Sequence, residues 1–111
     1  MTYDSNISSI MVALGDPTRR AVVEKLAGQP TPVGQLADTL PVSRPAVSQH
    51  LKVLSEAGLV TATQSGTRRV YALNPNAIAA LREWCDHLWG DALSAFQSEA
   101  ARIAAEKDTS K

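Results

Sequence analysis

The sequence predicts a mainly α-helical domain that contains one small β-hairpin. Two observations predict this fold class. Over most of the chain, apolar residues recur every three or four positions, which is the spacing of amphipathic helices. Between residues 59 and 73, apolar and polar residues alternate instead, which indicates two short strands. Because 111 residues suffice for one hydrophobic core, we expect a single domain over residues 1–111.

Three helices are predicted before the middle of the chain. The first covers about residues 5–14. The second follows Asp16, a typical N-cap residue, and the third is expected to follow Thr31 in the same role. Pro41 ends the third helix because proline lacks the backbone N–H that a continuing helix needs.

A fourth helix is predicted between Ser43, as its N-cap, and Gly58, as its left-handed C-terminal cap. At 100° per residue, Val47, Leu51 and Leu54 lie on one face and form its buried stripe. The opposite face carries Pro45, Ser48, Gln49, Lys52 and Glu56. One side of this helix is therefore core, and the other is free to contact a polar partner.

The strands and a long helix complete the chain. The stretch "QSGT" suits a hairpin turn, and Arg68 and Arg69 follow near its tip. A last helix is expected over about residues 75–104, and the residues after Arg102 are expected to fray. Its wide apolar band comprises Ile78, Leu81, Trp84, Cys85, Leu88, Trp89, Ala92, Leu93 and Phe96.

The third and fourth helices, joined by the short turn "LPVS", have the layout of a helix-turn-helix over about residues 32–57. The small side chain of Ala37 permits the close approach that a crossed helix pair needs. A basic hairpin over about residues 59–73 follows directly and forms a wing. In this arrangement the polar face of the fourth helix is able to enter a major groove of DNA.

Several motifs resemble the ArsR-type winged-helix repressors of bacteria over about residues 10–74. They are "DPTRR", "VSQHLKVL", "AGLV" and a wing motif formed by Gly66, Arg68 and Tyr71. The resemblance implies a homodimer that binds a palindromic operator in double-stranded DNA and represses nearby genes. Autoregulation is a role that the resemblance also implies.

Residue chemistry predicts how this surface would contact DNA. Ser48 and Gln49 can exchange hydrogen bonds with base edges, and Pro45 can contact a thymine methyl group. Arg44 can bind a guanine or a phosphate, whereas Lys52 and the wing arginines suit phosphates. The alternative is that these side chains only solvate a surface helix. The predicted DNA-binding residues are Ser43, Arg44, Pro45, Ser48, Gln49, Lys52, Arg68 and Arg69.

The distribution of charge agrees with a nucleic-acid partner, although the net charge is zero. Residues 41–73 carry four basic side chains and one acidic one, Glu56. From residue 74 onward, four basic side chains stand against six acidic ones. The basic segment therefore comprises the second helix of the helix-turn-helix and the wing.

The apolar band of the last helix predicts a dimer, because it has more apolar surface than a single domain of this size is expected to bury. The alternative is that the band belongs only to the core of one chain. The predicted dimer interface comprises Ile7, Ile10, Leu81, Trp84, Leu88, Trp89 and Phe96.

No cofactor is predicted, and whether a metal or small-molecule effector releases DNA stays open. The segment "QLADTL" has no cysteine pair for a thiolate metal site, and His87 with Asp91 offers only a weak candidate for metal binding. Cys85 is expected to be a small buried hydrophobic residue, and His50 a packed or capping residue.

Other function classes are less well supported. No phosphate loop, nucleophile motif or paired-histidine zinc motif suggests an enzyme. The chain has no apolar run of membrane-spanning length and no signal peptide, so we expect no membrane association and a cytoplasmic location. Two alternatives remain at this stage, a nickel- or zinc-responsive repressor of the same fold and a winged helix used for protein interaction.

Overall fold

The computed structural model describes the backbone of residues 2–109 and the side chains of residues 7–107. It confirms the predicted fold class, a mainly helical chain with a small antiparallel sheet. The elements in chain order are α1 (Thr2–Leu14), α2 (Pro17–Gly28), β1 (Thr31–Pro32), α3 (Val33–Thr39), α4 (Arg44–Glu56), β2 (Val60–Ser65), β3 (Arg68–Leu73) and α5 (Pro75–Thr109). None of the described helices is long and apolar enough to cross a membrane.

The sheet has three strands in the order β1-β3-β2, all antiparallel. The sequence predicted only the hairpin of β2 and β3. The additional strand β1 is short, and Thr31 pairs in it with Tyr71 of β3. The wing is thus attached along one edge to the segment that leads into α3.

The prediction that Thr31 caps α3 is wrong. Helix α3 begins after Pro32, which has extended backbone angles and no side-chain capping bond. The Thr31 hydroxyl instead donates to the carbonyl oxygen of Gln29 at 3.0 Å. Pairing with β3 requires an extended backbone at Thr31, and a β-branched residue fits that conformation well.

The four helices α1, α2, α3 and α4 pack with the sheet around one hydrophobic core. Leu36 of α3 and Val47, Leu51 and Leu54 of α4 have no exposed surface, so the two helices of the helix-turn-helix meet in this core. Ile10 of α1 belongs to the same cluster. The buried stripe predicted for α4 is confirmed.

Helix α4 ends where the sequence predicted. Gly58 has a φ of 78°, and its N–H donates to the carbonyl of Ser55. The N–H of Leu59 donates to the carbonyl of Leu54, which completes a Schellman motif. Leu54 and Leu59 are both fully buried, so this cap also turns the chain from α4 into β2 through the core.

The chain divides into two compact units, Met1–Leu81 and Arg82–Lys111. The first unit contains the helix-turn-helix, the sheet and the first turns of α5. The second unit consists of the rest of α5, which is helical to Thr109, five residues beyond the predicted end and through residues expected to fray. Within it, Arg102 donates to Glu99 at 2.6 Å and to Glu106 at 2.5 Å, and such pairs support a helix surface.

Candidate nucleic-acid interface

The two faces of α4 differ sharply in exposure. Val47, Leu51 and Leu54 are completely buried, whereas Ser48, Gln49 and Lys52 are exposed. All eight predicted DNA-binding residues are exposed, namely Ser43, Arg44, Pro45, Ser48, Gln49, Lys52, Arg68 and Arg69. The polar face of α4 is therefore free to meet a partner without disturbing the core.

The start of α4 is held by its own N-cap. Ser43 Oγ accepts a hydrogen bond from the backbone N–H of Ala46 at 3.3 Å, which confirms its predicted capping role. Pro45 lies in the first turn, where a missing N–H costs the helix nothing. This cap orients Arg44, the first residue of the helix, at the edge of the polar face.

The wing is a regular hairpin whose turn is fixed by local bonds. Gly66 has a φ of 65°, and Gln64 Nε2 donates to its carbonyl oxygen at 3.2 Å. In the ladder, Arg69 pairs with Gln64, and its guanidinium lies 5.9 Å from the centre of the Tyr71 ring. Cation–π contact of this kind restricts where the arginine points.

The structure brings Arg44 together with the wing. Arg44, Arg68 and Arg69 line one cleft of about 240 Å³ between the wing and the segment that begins α3. Gln35 also lines the cleft, although it is not among the predicted DNA-binding residues. No local signal could have revealed this, because the strand β1 that brings α3 and the wing together was not predicted.

His50 lies on the inner side of α4, as expected for a packed residue. Its side chain is 23% exposed, and its Nδ1 lies 3.9 Å from Asp16 Oδ2 at the start of α2. Asp16 is itself the confirmed N-cap of α2 and accepts from the backbone N–H of Arg19 at 2.9 Å. His50 thus brings α4 close to the turn between α1 and α2.

The side chains considered for sensing lie on the outside of α5. Cys85 is exposed, so the prediction that it is a small buried residue is wrong for the single chain. The helix is not covered at that position within its own unit. His87 and Asp91 are also exposed, and among the described residues no group of three or more histidine, cysteine or acidic side chains is arranged to hold a metal ion.

The residues predicted for a dimer interface fall into two groups. Ile7 and Ile10 are 4% and 2% exposed, so they are already buried inside the chain and offer almost no area to a partner. Leu81 and Trp84 are half-buried. Leu88, Trp89 and Phe96 are 53%, 67% and 70% exposed.

Comparison with known proteins agrees with this geometry. A helix-turn-helix domain family matches residues 14–62. The HTH-type transcriptional regulator Rv2034 of Mycobacterium tuberculosis is 60% identical over 84 residues, covering 76% of this chain and 78% of that protein. The transcriptional repressor SdpR of Bacillus subtilis is 28% identical over 78 residues, covering 70% of this chain and 87% of that protein.

A solved structure supports the same assignment. The ArsR-like transcriptional regulator from Rhodococcus sp. RHA1 superposes with a TM-score of 0.76 at 26% identity, covering 88% of this chain and 95% of that one. The extent of the match to Rv2034, together with the helix-turn-helix and wing described above, shows the family. This chain belongs to the ArsR-type family of winged helix-turn-helix transcriptional regulators.

Proposed function

We propose that this protein is a homodimeric repressor that binds a palindromic operator with α4 and the wing of each chain. The observation that carries the proposal is the exposure of all eight predicted DNA-binding residues beside a fully buried stripe on α4. Because these side chains contribute nothing to the core, they are available to contact DNA. The cleft shared by Arg44 and the wing arginines makes the two elements one continuous surface.

The residue types suggest a division of labour on this surface. Ser48 and Gln49 project from the middle of α4, and their hydroxyl and amide groups suit the base edges of the major groove. Lys52 and the wing arginines suit phosphates, which supply affinity without sequence information. Sequence choice therefore depends mainly on α4, and salt-dependent affinity on all the basic residues.

A dimer would cover the apolar surface of the second unit. Trp89 and Phe96 are both more than half exposed, and Leu88 and Ile103 are 53% and 45% exposed. Monomeric proteins rarely leave contiguous apolar patches of this kind in water. An aromatic side chain buries about 150–250 Å², so these residues supply a large part of the roughly 800 Å² per partner in a typical stable interface.

Repression follows from operator occupancy. The similarity to SdpR, which is named a transcriptional repressor, supports this direction of control. We propose that the promoter of its own gene is one of the targets, so that the protein limits its own synthesis. We propose no catalytic activity, because the functional side chains lie on an outer surface and not in an enclosed site.

Sequence-specific binding is tested with fragments selected from a random DNA pool and with the gene's own upstream region, each compared with scrambled DNA at several salt concentrations. We expect Gln49→Ala to lower the preference for the selected sequence, by about 1–3 kcal/mol for a lost bidentate base contact. Gln29→Ala, an exposed glutamine at the end of α2, is the matched control and should bind as the parent does. Equal affinity of the parent for selected and scrambled DNA would refute the proposal.

The dimer is tested by sedimentation equilibrium over a range of protein concentrations. We expect the parent to be a dimer and the double variant Trp89→Glu/Phe96→Glu to be a folded monomer, because each change places a charge in the apolar patch. The monomer should bind a single half-site weakly and lose the added affinity for a palindrome. A monomeric parent would overturn this part of the proposal.

A further inference from the structure

We propose that the cleft between the wing and the start of α3 is a phosphate site, in which Arg44, Arg68 and Arg69 together bind one phosphodiester of the DNA backbone. This inference rests on the proposed function and adds to it. It assigns Arg44 to the backbone and not to a guanine, and it makes α4 and the wing bind the same phosphate.

The cleft has the charge that an anion needs. Three of its lining residues are arginines and none is acidic. Within residues 7–107, no carboxylate lies within 4.0 Å of these three guanidinium groups, and the ion pairs of that range involve other residues. The remaining lining residues are Pro32, Val33, Gly34, Gln35 and Thr67. Positive charge is therefore concentrated at one concave place without an internal counter-ion.

One of the three arginines, Arg69, is also oriented by its surroundings. The Arg69 guanidinium stacks 5.9 Å from the Tyr71 ring centre. The Arg44 guanidinium lies near the backbone of Gly34, at the start of α3. Arginine side chains that are partly held in place lose less conformational freedom when they bind an anion.

A phosphodiester fits this arrangement better than a base edge does. A guanine edge accepts one bidentate arginine in the plane of the base. A phosphate group presents two unesterified oxygens with several lone pairs, and it accepts hydrogen bonds from guanidinium groups that approach from different directions. A cleft of about 240 Å³ that is lined by three arginines matches the second pattern.

Sharing one phosphate has a measurable consequence. In a plot of the logarithm of the binding constant against the logarithm of the salt concentration, each phosphate contact that is lost lowers the slope by about one unit. If the three arginines bind one phosphate per chain, the triple variant Arg44→Ala/Arg68→Ala/Arg69→Ala should lose about one unit per half-site. Three separate phosphates would cost about three units instead.

The test measures affinity against salt for the single, double and triple variants on the selected operator, after circular dichroism has shown that each variant is folded. We expect each single change to weaken selected and scrambled DNA alike, and the triple variant to lose about one unit of slope per half-site. The double variant Arg44→Ala/Lys52→Ala is the matched control, because Lys52 does not line the cleft and its loss should add fully. A loss of about three units of slope per half-site in the triple variant would overturn the inference.

A second arm identifies the source of the phosphate. Operators that carry one neutral methylphosphonate at successive positions should reveal one position per half-site that weakens the parent but leaves the triple variant unchanged. If no such position exists, and inorganic pyrophosphate binds the parent but not the triple variant in a calorimetric titration, the cleft binds a free anion and the inference is wrong. A parent that shows no preference for selected DNA refutes the proposed function instead, so the two failures are distinguishable.

Discussion

Arg19 Nε donates a hydrogen bond to the carbonyl oxygen of Ala13 at 2.6 Å, so a side chain of α2 closes the end of α1. Arg19 Nη2 reaches the carbonyl of Val12 at 3.2 Å, and Arg20 Nη1 reaches that of Leu14 at 2.6 Å. The last carbonyls of a helix have no partner within it, and a cation there also interacts favourably with the helix dipole. The motif "DPTRR" therefore caps two helices, α2 through Asp16 and α1 through its arginines.

Arg19→Ala should lower the free energy of unfolding by about 1 kcal/mol or somewhat more, because carbonyls at the end of α1 lose a charged donor. Urea unfolding followed by circular dichroism measures the change. Arg82→Ala is the control. Arg82 is exposed, and its ion pair with Asp86, at 3.9 Å in an i, i+4 arrangement, contributes at most a few tenths of about 1 kcal/mol to the free energy of unfolding. Equal losses in the two variants would show that the capping bonds contribute nothing.

Asp16 should make stability depend on pH at the acidic end. The hydrogen bond from the backbone N–H of Arg19 is the largest effect on Asp16 and lowers its pKa below the ordinary value of 3.8. Burial opposes this shift to a smaller extent, and the charges of His50 and Arg19 lower the pKa slightly further. Because the pKa is lower in the folded state, the stabilisation is complete above pH 3.8 and is lost as the pH falls through the lowered pKa.

Thermal melts between neutral pH and pH 2.5 test this with Asp16→Asn, which keeps a capping oxygen but cannot ionise. We expect the parent to melt higher than the variant at neutral pH and the difference to shrink below pH 3.8. A difference that is constant over the whole range would mean that ionisation of Asp16 does not contribute.

Substitutions on the buried face of α4 should affect stability, and those on its exposed face should affect DNA recognition. Leu51→Ala removes a fully buried side chain and should cost about 2–5 kcal/mol of stability. Gln49→Ala, two positions earlier on the exposed face, should change the unfolding free energy by no more than about 0.5 kcal/mol while altering sequence choice. Denaturant unfolding and competition binding are measured on both variants. Strong destabilisation by Gln49→Ala would contradict the assignment of faces.

Gly58 should be required for its backbone conformation and not for space. A β-carbon at Gly58 would meet nothing within 4 Å, yet the φ of 78° is unfavourable for residues that carry a β-carbon. Gly58→Ala should therefore destabilise the protein by about 1–2 kcal/mol. At Gly28, the last residue of α2, a β-carbon also meets nothing and φ is not positive, so Gly28→Ala should be neutral or slightly stabilising. In thermal melts, a lower melting temperature for Gly58→Ala but not for Gly28→Ala would confirm the distinction, and equal changes would contradict it.

Much of the helix-turn-helix could be predicted from local patterns. The buried stripe of α4, the caps at Asp16 and Ser43 and the left-handed end at Gly58 all depend on residues within about five positions of one another. The prediction failed at Thr31, where pairing with Tyr71, forty positions away in the chain, overrides a local capping preference. It also failed at Cys85, because helical spacing alone does not say which apolar residues find cover within one chain.

The sequence by itself determined the family, the register of α4 and the residue types offered to DNA, because periodicity and capping are set by neighbouring residues. Only the tertiary structure decided which distant groups meet. It placed Arg44 in one cleft with Arg68 and Arg69, and His50 beside Asp16. Such contacts depend on how strands and helices pack, and the strand β1 that joins α3 to the wing has only two residues. A pattern of two residues carries no periodicity from which that contact could be predicted.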